Sequence, residues 1–348
     1  MNIDAIGNCI LDESRSDGDL RSALDAFAAL CAEVSDIHPD PGFSAWAGDT
    51  LLDTGVAINP HAAAHCVMDY QRSVTYIRGV YAALVELRQR FPGETIEVLY
   101  AGCGPYATLL LPLLARFQPG DLSVQMLDIH QRSLDSVHKL LTHMGFGHRA
   151  ITTLQADACR YQHPGKLHLV IAETMQKSLE QEPQVAVTAN LAPQLTPGGI
   201  FIPQAIEVSL WLTPSPIRQA DDATAKQKLR QPMDPGYRLA TVFTLLPSQI
   251  ANKLNTAQCD ARSCPTVLDP VTVLIPPLAS LKQLTPTLIT QITVFEDFTL
   301  GNYESEITLP MPCHGLPDLT EGDQLRVSYQ LGSYPRFDYE LVARTDCG

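Results

Sequence analysis

Basic residues are scarce in this sequence. Lys and Arg number 24 against 38 Asp and Glu, a formal charge of −14 over 348 residues. A surface this acidic repels phosphate backbones, so no nucleic-acid partner is expected outside a local basic patch. Long apolar runs are missing as well. With no uninterrupted apolar stretch of about 18 residues, neither a membrane span nor a membrane partner is expected. Met1 to Leu20 lacks a basic start followed by an apolar run and carries Asp4, Asp12, Glu13, Asp17 and Asp19. A secretory signal is therefore not expected. The nine cysteines are odd in number and form no Cys-x-x-Cys. That argues against a disulfide framework or a structural zinc site, and fits a reducing cytoplasm. No metal is expected. Tryptophan is confined to Trp46 and Trp211, and no internal repeat or low-complexity tract occurs. What is present is 45% hydrophobic residues, enough to bury a core, so a largely disordered chain is excluded.

The pattern changes twice along the chain. At roughly 100–200 residues per domain, the length suggests two domains with a helical cap. Residues 1–92 read as helical: Leu20 to Val34 is rich in Ala and Leu at helical spacing. Asn59-Pro60 reads as the start of a long helix reaching Arg90. Residues 93–204 alternate strands and helices. The strands are Ile96–Ala101, Leu122–Leu127, Ala150–Ala156, Leu167–Ala172 and Ile200–Ile202. The helices are Tyr106–Phe117, Ser133–Met144 and Gln184–Leu195. That alternation predicts a doubly wound, Rossmann-like parallel sheet, an α/β fold. Residues 205–348 read as short strands separated by Pro, Gly and Asn, which predicts an antiparallel β-barrel or sandwich. Glu306–Leu309 is among the expected strands, and the polar stretch at 215–230 is an expected arm or lid.

Gly102-Cys103-Gly104 follows the first of the parallel strands directly, with Ala107 closing a GxGxxG/A pattern. Glycines there let the backbone turn sharply and approach a ligand closely. Asp128 ends the second strand, where a carboxylate can accept both hydroxyls of a ribose. Nicotinamide or flavin dinucleotides and S-adenosylmethionine both use this layout. Pro105 lacks an N–H at the turn, which argues mildly against a pyrophosphate. In Gln155-Ala156-Asp157-Ala158, Asp157 lies at a strand end, where an acid can accept the adenine amino group; a turn or helix cap is the plainer alternative.

These residues resemble a class I S-adenosylmethionine-dependent methyltransferase, in particular the protein arginine methyltransferase family. Asp69-Tyr70-Gln71-Arg72-Ser73-Val74-Thr75-Tyr76 is similar to that family's D-x-x-R-T-x-x-Y helix. Glu173-Thr174-Met175 resembles the start of its double-glutamate loop, SEWMG. Leu195-Thr196-Pro197-Gly198-Gly199 through Pro203 resembles the LKPGG run leading into a C-terminal barrel. The resemblance implies that Arg72 pairs with the methionine carboxylate of the cofactor, that Gly102 and Gly104 pass beneath it, and that Asp128 holds its ribose. It places Asp157 and Ala158 at the adenine. Glu173 would be the first loop glutamate, on both the cofactor and the catalytic side, with Glu182 or Glu180 as the second. An intrahelical pair with Asp69 is the competing role for Arg72. The resemblance also implies a homodimer built through an arm, for which 215–230 is the candidate.

Two departures bear on the acceptor. No Thr-His-Trp occurs, its place by order being near Asn302-Tyr303-Glu304-Ser305-Glu306, and Thr174 stands where the loop tryptophan would be. The expected function is therefore methyl transfer to a small-molecule acceptor. Protein arginine methylation, a non-catalytic cofactor-binding protein and a dehydrogenase stand as alternatives. His61 and His65 share a helix face but lack an evident third ligand. His130 could reach the cofactor rim, and His314, Tyr303 and Glu304 could line the acceptor cleft.

Overall fold

The structure, a computed structural model, describes residues 1–39, 48–214, 236–256, 266–278 and 281–343. Its centre is a parallel sheet of five strands: β3 (Ile96–Ala101), β4 (Leu122–Asp128), β5 (Ile151–Gln155), β6 (Leu169–Ala172) and β7 (Ile200–Ile202), in the order β5-β4-β3-β6-β7. The order reverses between β3 and β6, which pair in register from Val98↔Leu169 to Ala101↔Ala172. Strand side chains alternate between faces. Val98, Tyr100, Val124, Met126, Leu169 and Ile171 pack on one side with helices α1 (Ile3–Leu11), α2 (Asp17–Ser35), α4 (Tyr70–Arg90) and α5 (Gln131–His143). Leu99, Ala101, Leu127, Val170 and Ala172 pack on the other against Val187 and Leu191 of α6 (Gln184–Leu191). The inner strands β3 and β6, buried on both faces, read as near-continuous apolar runs and stood out in the sequence, while β4 alternates and the edge strand β5 is half exposed.

Four expected elements take another form. The helix from Asn59 to Arg90 is broken: α3 (Pro60–His65) passes through a 3-10 turn at Cys66–Met68, and Asp69 caps a fresh helix, α4. No α-helix follows the glycine turn. Ala107 sits at φ 43°, and only a 3-10 segment, Leu111–Arg116, forms around Pro112. A proline clashes with the preceding turn and disfavours helical backbone just before it. Proline acts again at Ala192–Gln194, where α6 passes into a 3-10 turn. Glu306–Thr308 is a 3-10 turn capped by Ser305, not a strand.

Beyond β7 the chain forms two antiparallel sheets. One has β8 (Ala205–Pro214), β9 (Tyr237–Leu245), β11 (Leu284–Phe295), β12 (Phe298–Leu300) and the short β13 (Met311–Pro312). The other has β10 (Val267–Leu274), β14 (Gln324–Gln330) and β15 (Arg336–Ala343). Phe243, Tyr329 and Phe337 join the two, with Phe243 and Tyr329 stacked at 5.0 Å and Tyr329 edge-on to Phe337 at 5.0 Å. Such pairs contribute about 1 kcal/mol each beyond area burial. A two-stranded hairpin, β1 (Thr50–Leu52) and β2 (Gly55–Ala57), precedes α3. Its strands are too short to leave a pattern in the sequence. The expected arm at 215–230 lies outside the described residues.

Candidate active site

A cavity of about 460 Å³ opens at the carboxyl ends of β3, β4, β5 and β6. Open α/β sheets bind ligands at that edge, where the strand order reverses. The glycine turn forms its floor. Gly102 and Gly104 adopt left-handed backbone, φ 66° and 62°. A Cβ on Gly102 would lie 2.6 Å from Thr174 Cγ2. Asp128, buried at the end of β4, holds the turn in place: its Oδ2 accepts from Gly104 N at 2.9 Å and its Oδ1 from His130 N at 2.8 Å. Asp157 and Ala158 line the same cavity. Asp157 Oδ1 accepts from Cys159 N at 2.8 Å, so the turn-capping role is present as well.

Arg72 reaches across from α4. Its guanidinium Nη2 bonds Glu173 Oε2, and the two side chains are only 12% and 6% exposed. Asp69 caps the backbone N–H of Arg72 but does not take its guanidinium. The other oxygen of Glu173, Oε1, is buried with no hydrogen-bond partner. Gln184 fixes the start of this loop: its Oε1 accepts from Thr174 N at 2.8 Å and its Nε2 donates to Ala172 O at 3.0 Å. Nothing in the sequence distinguished Gln184 from any other residue at a helix start.

The loop then turns through three left-handed residues, Ser178, Leu179 and Gln181. Such backbone costs of order 1–3 kcal/mol per residue and persists where surrounding contacts impose it. Thr290 Oγ1 accepts from Ser178 N at 3.1 Å, Tyr329 Oη donates to Leu179 O at 2.7 Å, and Pro335 O accepts from Gln181 N at 2.8 Å. The result separates the two candidate glutamates. Glu182 lines the cavity and is buried. Glu180 does not line it; Lys177 and Arg336 neighbour it instead. Burial pushes the Glu182 carboxyl up to about 7 from an ordinary 4.5, against the opposing pull of Arg72 and Gln176.

Several lining residues were not singled out by the sequence. Leu52 and Val56 of the hairpin, Cys66, Cys103 and Cys159, and Glu306 and Ile307 all face the cavity. Burial raises the Cys66 and Cys103 thiols above their ordinary value, so both stay protonated. His130 lines the cavity and its Nε2 lies 3.1 Å from Thr50 Oγ1. His314, Tyr303 and Glu304 do not line it. His314 N donates to Tyr339 Oη, and Glu304 Oε2 accepts from Gly301 N. Among the described residues no group of three or more His, Cys, Asp or Glu could hold a metal, and no helix is long and apolar enough to cross a membrane.

No family model matches the chain, and no curated protein matches it. Solved structures do. The Trypanosoma brucei PRMT1 enzyme–prozyme heterotetrameric complex with AdoHcy aligns over 81% of this chain and 93% of its own, with TM-score 0.53 and 13% identity. Arabidopsis thaliana protein arginine methyltransferase 10, in an open conformation, aligns over 76% and 86%, with TM-score 0.51 and 13% identity. The chain shares its fold with these two structures. At this identity the likeness is one of architecture: the parallel sheet and the antiparallel sheets that follow it.

Proposed function

We propose that this protein is an S-adenosylmethionine-dependent methyltransferase whose acceptor is a small molecule. One observation carries the cofactor part of the reading, while the acceptor class rests on Thr174 and the missing Thr-His-Trp. The bare left-handed turn at Gly102–Gly104, the ribose-side Asp128 and the buried Arg72–Glu173 pair converge on one cavity at the sheet's switch point. The residues fit the cofactor. Arg72 suits its carboxylate, and the unpartnered Oε1 of Glu173 suits its ammonium. Asp128 lines the cavity where the ribose would lie, each of its oxygens already accepting one backbone N–H, and Asp157 stands at the β5 edge for adenine.

When bound, S-adenosylmethionine supplies an electrophilic methyl group, released to an acceptor lone pair as the carbon–sulfur bond breaks toward sulfur. The chain's task is to align the acceptor, exclude water and take its proton. Burial of Glu173 and Glu182 serves the exclusion. Glu182, poised near neutrality, suits a base that is charged in a useful fraction of molecules. Ile307 and Met175 supply apolar wall.

A second reading, methylation of protein arginine, is favoured by the presence of both Glu173 and Glu182 in the cavity, and the structural neighbours bear that name. Against it stand Thr174 in place of the loop tryptophan and the absence of Thr-His-Trp. Transfer of label from methyl-labelled S-adenosylmethionine into an extract of the source cell, split by size, decides. Label in the small-molecule fraction supports the first reading, and label in protein supports the second. S-adenosylhomocysteine binding without label in either fraction favours a cofactor-binding protein without turnover. A homodimer belongs to the same proposal and is checked by light scattering of the full chain.

A further inference from the structure

We propose that the β1–β2 hairpin is a clasp that positions Glu182 by tying its loop to the cofactor-side rim of the cavity. On one side the hairpin is seated on the glutamate loop. Val56 N donates to Gln181 O at 2.7 Å. Gly55 lies so close that a Cβ there would stand 2.8 Å from Pro183 N, 2.9 Å from Gln181 O and 3.0 Å from Glu182 C. Its φ of 149° is also one that L side chains rarely adopt. On the other side the hairpin reaches the loops after β4 and β5. Thr50 Oγ1 meets His130 Nε2 at 3.1 Å, Thr54 Oγ1 donates to Cys159 Sγ at 3.2 Å, and Asp53 pairs with Arg160 at 2.8 Å.

The clasp matters because the glutamate loop, beyond its own turn bonds such as Leu179 N to Gln176 O and Glu182 N to Glu180 O, is also held from outside. Its left-handed residues are held by bonds from the antiparallel sheets and, from the cavity roof, by Val56. A two-stranded hairpin is marginal by itself, so its seat depends on what it touches. Leu52, Val56 and Ala57 face the cavity, so a ligand resting on them adds to closure and thereby fixes Glu182. The charged and titratable groups acting on Glu182 are Arg72, Cys66 and Asp49, with Gln176 bonded to it from its own loop. Asp49 stands at the hairpin's base, where its Oδ1 accepts from Asn59 N and Nδ2, both at 2.8 Å. The inference rests on Glu182 being a working group of the proposed methyl-transfer site.

The test is a titration that needs no turnover. The Glu182 carboxyl is followed by carbon-13 NMR in the full chain labelled at glutamate side chains, its signal assigned with Glu182→Gln. The variants are Gly55→Ala, which unseats the hairpin from the loop, and Asp53→Ala with Thr54→Val, which frees its tip at an exposed position. In the parent chain the midpoint lies near 7; in Gly55→Ala it falls toward 4.5 as water enters. The tip variant moves the same way by less, and decides alone if Gly55→Ala does not fold. An unmoved midpoint in the folded variants overturns the clasp, and leaves the methyl-transfer reading standing if label transfer is seen. A moved midpoint with no label transfer from any acceptor fraction supports the clasp and removes the methyl-transfer reading.

Discussion

The carboxylate of Asp69 bonds Ser305, a residue 236 positions further along the chain, through Ser305 Oγ at 2.5 Å. The same Oδ2 accepts from Glu306 N at 2.9 Å, while Oδ1 caps the N–H of Arg72. One side chain thus joins the start of α4, which carries Arg72, to the turn that presents Glu306 and Ile307 to the cavity. The stretch Glu306–Thr308 is a serine-capped 3-10 turn fastened to a helix N-cap.

Breaking that junction should loosen both ends. Asp69→Ala removes a cap and two bonds to a carboxylate, a loss of about 2 kcal/mol. Denaturant unfolding measures it. If Ile307 walls the acceptor, KM for the acceptor rises more than the cofactor Kd. A variant with parent stability would show that the junction carries no load.

Glu173→Gln keeps an oxygen for Arg72 but puts an amide N–H where Oε1 would meet the cofactor's ammonium, so S-adenosylhomocysteine binding should weaken in calorimetry and turnover should fall further, by about 10²–10⁴-fold. Glu173→Ala should do more harm, because it strands a guanidinium that is 12% exposed. Removing one partner of a buried pair costs about 3 kcal/mol. Parent turnover in Glu173→Gln would remove that residue from the chemistry.

Glu182 predicts opposite pH trends for stability and activity. Its folded value, about 7, lies above its ordinary 4.5. The folded state therefore holds this proton more tightly, and the stability it confers is complete below 4.5 and lost as pH rises through 7. The loss is roughly 3 kcal/mol over that interval. Glu182→Gln should flatten this part of the curve in denaturant titrations. Activity should rise over the same window, as the carboxylate forms. A parent stability curve already flat between pH 4.5 and 7 contradicts the assignment.

Gly102→Ala meets two penalties at once: left-handed backbone, about 1 kcal/mol, and the 2.6 Å approach to Thr174 Cγ2. Binding of S-adenosylhomocysteine should weaken at least tenfold in calorimetry. Adding Thr174→Ser removes the methyl and should recover part of the affinity, since the backbone strain remains. Parent affinity in Gly102→Ala would mean that the turn is not the cofactor floor.

Much of this site was legible in the chain itself. Gly102, Gly104, Asp128 and Asp157 were read from the glycine turn and strand ends, and Arg72, Ala158 and Glu173 were implied by the family resemblance; all line one cavity, as does Glu182, which the sequence left open against Glu180. The strand-end residues are legible because the inner strands are apolar runs and the next polar residue falls at their carboxyl ends. The hairpin, Gln184 and the Ser305 turn were not legible. Their roles come from contacts such as Val56 to Gln181 and Ser305 to Asp69, between segments far apart in sequence. The run from Tyr106 to Phe117 misled because apolar content alone cannot tell an α-helix from turns built around Pro105 and Pro112.

By itself, the sequence determined the parallel sheet, its glycine turn and the acids at its edge. Apolar alternation and glycine demand are local properties, satisfied within a few residues of where they are written. Only the tertiary structure decided which glutamate faces the cavity. Glu180 and Glu182 are near-equivalent on paper. Their directions are set by left-handed residues at 178, 179 and 181 that are held by Thr290, Tyr329, Pro335 and Val56. Side-chain direction in such a loop follows backbone angles imposed from outside it, and no local pattern encodes them.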